Sequence, residues 1–181
     1  MYLLKTQEVV TQMEQTGEIK FDVKMTTGLM YDFLLYHTYT SVAGLISTLL
    51  GILLVGFGLN LQNQGTTNPL IYYIAGGILI IYMPINLWLS AQRQVKLSPI
   101  YKEPITYTLC EEGIVTAQNE EEAKAEWSAV QKVVSTGRSI IVYTAKNRGV
   151  ILEKKAMGNS YQNVLKMIST HVEPKKVKIK N

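Results

Sequence analysis

The chain changes hydrophobic period along its length, and each change marks an element. Residues 19–25, Ile-Lys-Phe-Asp-Val-Lys-Met, alternate apolar and polar side chains, the pattern of a half-buried strand. Thr26-Thr27 then offers a helix N-cap for residues 28–37, where Leu29, Met30, Phe33 and Leu34 form an apolar side. Residues 33–92 contain no Asp, Glu, Lys or Arg across 60 positions. A polar, turn-prone segment at 60–69 divides that stretch into two apolar runs. Each is about 20 residues long, the length that crosses a hydrocarbon core. A two-helix transmembrane hairpin is predicted, with spans at about 42–59 and 70–89.

Beyond the hairpin the period returns to two. Strands are predicted at 105–110, 114–118, 123–127, 130–136, 139–145 and 150–154. Glu111-Glu112-Gly113, residues 119–122, Gly137 and Lys146-Asn147-Arg148-Gly149 supply the turns between them. Residues 139–145, Ser-Ile-Ile-Val-Tyr-Thr-Ala, are the most β-prone segment. The last element reads at helical offsets: Asn159-Ser160 caps residues 161–171, with Tyr161, Val164, Leu165 and Ile168 on one face. Glu173-Pro174 ends it. The fold class expected is a membrane α-helical hairpin plus an α+β soluble domain of seven antiparallel strands and a closing helix. Trp127 and Tyr143 are expected in its core. Four regions follow: an N-terminal segment at 1–38 with the first strand and a juxtamembrane helix, the hairpin at 39–92, a β domain at 98–173, and a basic tail at 174–181.

Charge orients the hairpin. The net +4 is uneven: residues 1–32 carry three Lys against five acids, while residues 93–181 carry fifteen basic and nine acidic groups. The connecting loop has no charge. Lys20 and Lys24 flank one outer end, and Arg93, Lys96 and Lys102 the other. Positive flanks stay cytoplasmic, so the expected location is a cell membrane, multi-pass, with both termini inside. Tyr36, Tyr39 and Trp88 mark the inner boundary and Tyr72 and Tyr73 the outer one, as amphipathic rings do at headgroup level. No cleavable signal peptide is visible near the N-terminus.

Helices in lipid associate through close backbone approach rather than hydrophobicity. Ala43, Ser47 and Gly51 recur at spacing four, and the second span carries Ala75-Gly76-Gly77. Folding the chain about its loop centre sets Gly51 opposite Gly77, which predicts a tightly apposed pair. The alternative use of this face is packing on a second copy, as a homo-oligomer, or on another membrane protein. Pro84 is expected to kink the second helix. Asn86 is the one strong amide deep in that span. No acid or base lies mid-membrane, so an ion pathway has no candidate residue.

Chemistry-bearing residues are sparse. Two His and two Asp (Asp22, Asp32) are too few and too scattered for a metal site or a relay triad. His37 reads as an interfacial residue. Cys110, the single cysteine, excludes an internal disulfide and, beside Glu111 and Glu112, has poor surroundings for a nucleophilic thiol. Gly51, Gly56 and Gly58 lack the Lys-Ser/Thr that would complete a phosphate loop. Glu120-Glu121-Glu122 reads as a solvated turn. No catalytic, cofactor-binding or metal-binding residue is assigned. The best functional lead is basic: Lys175, Lys176, Lys178 and Lys180, near the end of the chain, suit anionic headgroups. A solvated, solubilising end is the plainer alternative. A tethered domain without a base-stacking motif argues against nucleic acid.

Seven short strands closed by an amphipathic C-terminal helix resemble the pleckstrin-homology-like plan. Tyr107-Thr108-Leu109 before Glu112-Gly113-Ile114, then Trp127-Ser128-Ala129-Val130, Ile140-Ile141-Val142-Tyr143, and Ile151-Leu152 before Lys154-Lys155-Ala156-Met157 resemble the YcxB-like family of small bacterial membrane proteins. The motifs span about residues 104–172. Glu153 departs from the Pro that family often has there. The family brings no catalytic residues, and the resemblance implies that some similar proteins serve self-immunity to bacteriocins. The function expected is a non-enzymatic membrane-anchored interaction protein, binding a protein or lipid partner at the inner membrane face. A bacteriocin or toxin immunity protein and a small subunit of a transport complex are the alternatives.

Overall fold

The computed structural model describes residues 17–65, 68–145 and 148–179. Strand β1 (Ile19–Val23) is followed by three helices: α1 (Thr27–Tyr39), α2 (Val42–Asn63) and α3 (Leu70–Leu97). Then come β2 (Ile105–Cys110), β3 (Gly113–Gln118), β4 (Glu121–Glu126), β5 (Lys132–Ser135), β6 (Ser139–Ala145) and β7 (Arg148–Glu153). A short α4 (Lys154–Met157), α5 (Tyr161–His171) and a two-residue strand β8 (Val177–Lys178) are the last elements among the described residues.

Among the described residues the strands form two four-stranded sheets, β1-β2-β3-β4 and β7-β6-β5-β8. This corrects the expectation of seven antiparallel strands, because β8 adds an eighth and runs parallel to β5 through Val133↔Val177 and Val134↔Lys178. A two-residue strand in a Lys-rich segment has too little apolar period to be read from sequence. β1 and β2 are antiparallel neighbours, Ile19↔Leu109 to Val23↔Ile105. The three helices are therefore an insertion between two adjacent strands, leaving and re-entering the sheet at one end.

Alternation builds the core. In β2, Ile105, Tyr107 and Leu109 are buried, while Thr106, Thr108 and Cys110 are half-buried. They meet Phe21, Val23, Ile114, Val133, Ile140 and Val142, closed by Val164 and Ile168 of α5. β6 is buried at five successive positions, Ser139 to Tyr143. Its second face packs Ile141 and Tyr143 with Val134 against Phe33 and Tyr36 of α1. Burial on both faces explains its continuous apolar run. Trp127 is buried as well, and its indole N–H donates to the Cys110 carbonyl at 2.9 Å. It opens a 3-10 turn, Trp127–Ala129, where the chain passes from the first sheet to the second, rather than ending a strand. Exposed β4 carries Glu121, Glu122, Lys124 and Glu126, charges that discourage further pairing at this edge.

Helix termini follow local chemistry. Thr26 caps α1, its Oγ1 accepting from the Leu29 N–H at 3.2 Å. Ser41 caps α2 in the same way through Gly44, also at 3.2 Å. Ser160 precedes α5 but makes no side-chain cap bond, contrary to the sequence reading, because a 3-10 turn, Gly158–Ser160, already leads into the helix with helical backbone angles. α2 and α3 are both long and apolar enough to cross a membrane. Among the described residues, every exposed large apolar side chain except Ile100 belongs to these two helices. α3 continues through Pro84 and past the apolar window to Leu97, so its last turns carry Arg93 and Lys96.

Candidate functional site

The α2–α3 contact is built on glycine. Gly44, Gly51 and Gly58 are the buried residues of α2, seven apart. A Cβ on Gly51 would lie 3.1 Å from the Gly76 carbonyl oxygen, and one on Gly76 would lie 2.7 Å from the Gly51 oxygen. The two backbones thus meet at Gly51 and Gly76. Gly77, expected opposite Gly51, has open space around it. Counting residues from the loop fixes depth, but one residue also turns the helix by about 100°, which carries Gly77 off the contact. Ala43 is exposed and Ser47 and Ala75 are half-buried. Spacing four drifts about 40° per step around a helix, whereas spacing seven drifts about 20°, so Gly51 and Gly58 stay against α3 while the Ala43-Ser47-Gly51 row leaves it, and Gly44 packs on Thr38 of α1 instead.

The inserted helices are fastened to the β domain through α1 and the end of α3. Leu87 and Ala91 of α3 are buried, and Val95 packs on the main core. Tyr31 and Trp88 meet edge to face at 5.2 Å. Asp32 of α1 accepts from the Thr136 hydroxyl and, at 3.0 Å, from the hydroxyl of fully buried Ser139. Lys154 donates to the Thr136 carbonyl at 2.5 Å. This polar knot pins α1 to the β5–β6 turn.

Two recesses mark the domain. The larger, about 540 Å3, runs along α5 beside the start of β1, between Lys20, Glu111, Asn163, Lys166 and His171. There His171 is held by three groups: the Glu111 carboxylate 2.9 Å from Nε2, the Met167 carbonyl 2.9 Å from Nδ1, and the Trp127 ring stacked at 5.4 Å. The smaller recess, about 230 Å3, lies between the α1–α2 junction and β5–β6. Burial pushes the Tyr143 phenol there up to about 12, with the nearby Tyr36 adding to the rise. Neither recess was legible in the sequence. The one cue is Lys132, a charge inside the apolar run Val130 to Val134.

The basic residues near the C-terminus are partly engaged. Lys175 bonds Glu173 at 2.6 Å, which holds the Glu173 carboxyl below its ordinary value and raises Lys175. Lys176 stands 3.9 Å from the same carboxylate. Lys178 is exposed on β8. Lys180 lies outside the described residues. Through residue 178 this segment folds back onto β5, which corrects the separate tail expected from 174. Cys110 is half-buried with Sγ 3.5 Å from the Gly113 carbonyl. His37 stacks beside Phe33 and Tyr143.

Fold and recesses together define a class: an α+β domain of two sheets and a C-terminal helix, with an apolar helical hairpin inserted between its first two strands. Residues 111–168 match the family model described as YcxB-like protein. The match runs from the β2–β3 turn to Ile168 in α5, inside the stretch whose motifs carry the resemblance. No curated protein and no solved structure matches the chain.

Proposed function

We propose that this is a non-enzymatic, membrane-anchored interaction protein. In this reading the hairpin of α2 and α3 lies in the bilayer, both termini are cytoplasmic, and the two sheets with α5 form a pleckstrin-homology-like sandwich at the inner face. The domain binds a protein or lipid partner there. The observation that carries the reading is the segregation of exposed apolar surface to α2 and α3, while α3 itself continues into the domain and buries Leu87 and Ala91. Water does not tolerate such a surface, and a bilayer requires it. The domain is thereby held at a fixed height above the membrane.

The groove beside α5 is the partner surface this reading favours, since it is the larger recess and mixes Lys20 and Lys166 with Glu111 and His171. A photocrosslinker at exposed Asn163 is expected to capture a species from native membranes that the same probe at Glu122, on the exposed β4, does not. Identical capture from both positions contradicts the assignment.

A further inference from the structure

The smaller recess opens where the chain enters its first apolar helix. Two of its groups stand without a polar partner among the described residues, one half-buried and one buried. Lys132 is half-buried, and among the described residues no carboxylate lies within ion-pair reach of it. Its ammonium stands instead 5.0 Å from the Tyr36 ring centre and 5.9 Å from that of Tyr143. Ring faces attract a cation but do not neutralise it. Tyr143 is 6% exposed, and among the described residues its buried hydroxyl has no hydrogen-bond partner, a deficit native interiors seldom leave. The two residues are directly opposed across β5 and β6, so their side chains share a face and one ligand can meet both.

The recess also contains hydroxyls, but their protons are committed. Thr40 donates to the Tyr36 carbonyl and Ser41 to the Thr38 carbonyl, each at 2.6 Å. Toward an incoming group the recess offers the Lys132 ammonium and the Tyr143 phenol, both donors, together with the side chains of His37 and Gln131, which can donate as well as accept. An acceptor-only anion is the chemistry that satisfies such a pair. The position of the recess selects the source. Ser41, which lines it, is the cap of α2, so it opens one residue before the apolar helix begins, at headgroup depth.

We propose that this cleft seats the phosphate of an anionic lipid headgroup, with Lys132 as its charge partner and Tyr143 as a hydroxyl donor. The proposal rests on the membrane reading above and names the lipid side of it. An approaching phosphate draws the Lys132 ammonium off the two rings and gives the Tyr143 hydroxyl its acceptor.

The test uses the full chain in nanodiscs of phosphatidylcholine mixed with phosphatidylglycerol, with retained lipid read by native mass spectrometry. Wild type is expected to retain phosphatidylglycerol preferentially. Lys132→Gln should lower that preference roughly tenfold, the scale of one charge-assisted pair, and Lys132→Arg should keep it. Tyr143→Phe should lower it less, and Lys124→Gln, at an exposed lysine on β4 of the other sheet, should not change it. Equal retention by Lys132→Gln and wild type overturns the proposal, as does an equal loss in Lys124→Gln. Retention undiminished by added inorganic phosphate supports a lipid source, whereas displacement assigns the cleft to soluble phosphate and overturns the lipid assignment. Failure to enter nanodiscs overturns the membrane reading itself; entry without lipid preference overturns the cleft alone.

Discussion

A methyl group on Gly76 would stand 2.7 Å from both the Gly51 carbonyl oxygen and Val55 Cγ2, closer than packed atoms come. Gly76→Ala must therefore push α2 and α3 apart, and a loss of about 1–3 kcal/mol is expected, read as a lower thermal midpoint in detergent. Gly77→Ala meets nothing within 4 Å and should be neutral or slightly stabilising, since Ala favours the helix. Equal effects at the two sites contradict the contact described. A second residue-scale effect depends on pH. Burial, with help from Tyr101, pushes Tyr107 up from 10.0 to about 12. The folded state thus holds this proton more tightly than the unfolded chain. Its stabilisation is complete below pH 10 and is lost as pH rises through 12, up to roughly 2 kcal/mol. Tyr107→Phe should lose less stability than wild type between these values in alkaline denaturation. Gly51 and Gly76 were legible in sequence as packing residues, but which glycine faces Gly51 was not, because rotation about a helix axis is invisible to counting.

Periodicity worked at the element scale wherever a single face decides burial. β2 alternates and was found at its own limits, and the Thr26 cap was found because its chemistry is local. The reading failed where tertiary structure supplies the order. β8 exists because β5 offers an edge, and the turn before α5 replaces the Ser160 cap. The junction of α1 with the β5–β6 turn was likewise hidden, since its partners are more than 100 residues apart. That junction is testable. Asp32→Ala removes a carboxylate that accepts from two hydroxyls, which then keep only each other and the Ser139 carbonyl, and hydrogen bonds to a charged group are worth about 1.5–3 kcal/mol. Hydrogen exchange should show α1 opening more readily while β2 and β3 remain protected. Asp32→Asn keeps an acceptor oxygen and should retain most of the protection. Unchanged exchange in Asp32→Ala means the knot does not hold α1.

As a whole molecule the protein joins a pair of long apolar helices to an α+β domain of two sheets. A charge-free stretch was enough to locate the apolar helices, and alternation was enough to find seven of the strands. How the halves meet was not in the pattern: α1 covers one face of β6, the end of α3 reaches the main core, and the cleft at Lys132 forms only between them. In the proposed arrangement the α2–α3 hairpin crosses the bilayer with its loop outside and the β domain inside. Single cysteines in a Cys110→Ser background test this directly, at Gln64→Cys after α2 and at Glu120→Cys in the β3–β4 turn, with a membrane-impermeant maleimide on intact cells. Labelling at Gln64→Cys before permeabilisation, and at Glu120→Cys only after it, is the predicted result. Labelling of both positions, of neither, or in the reverse order on intact cells would contradict the account.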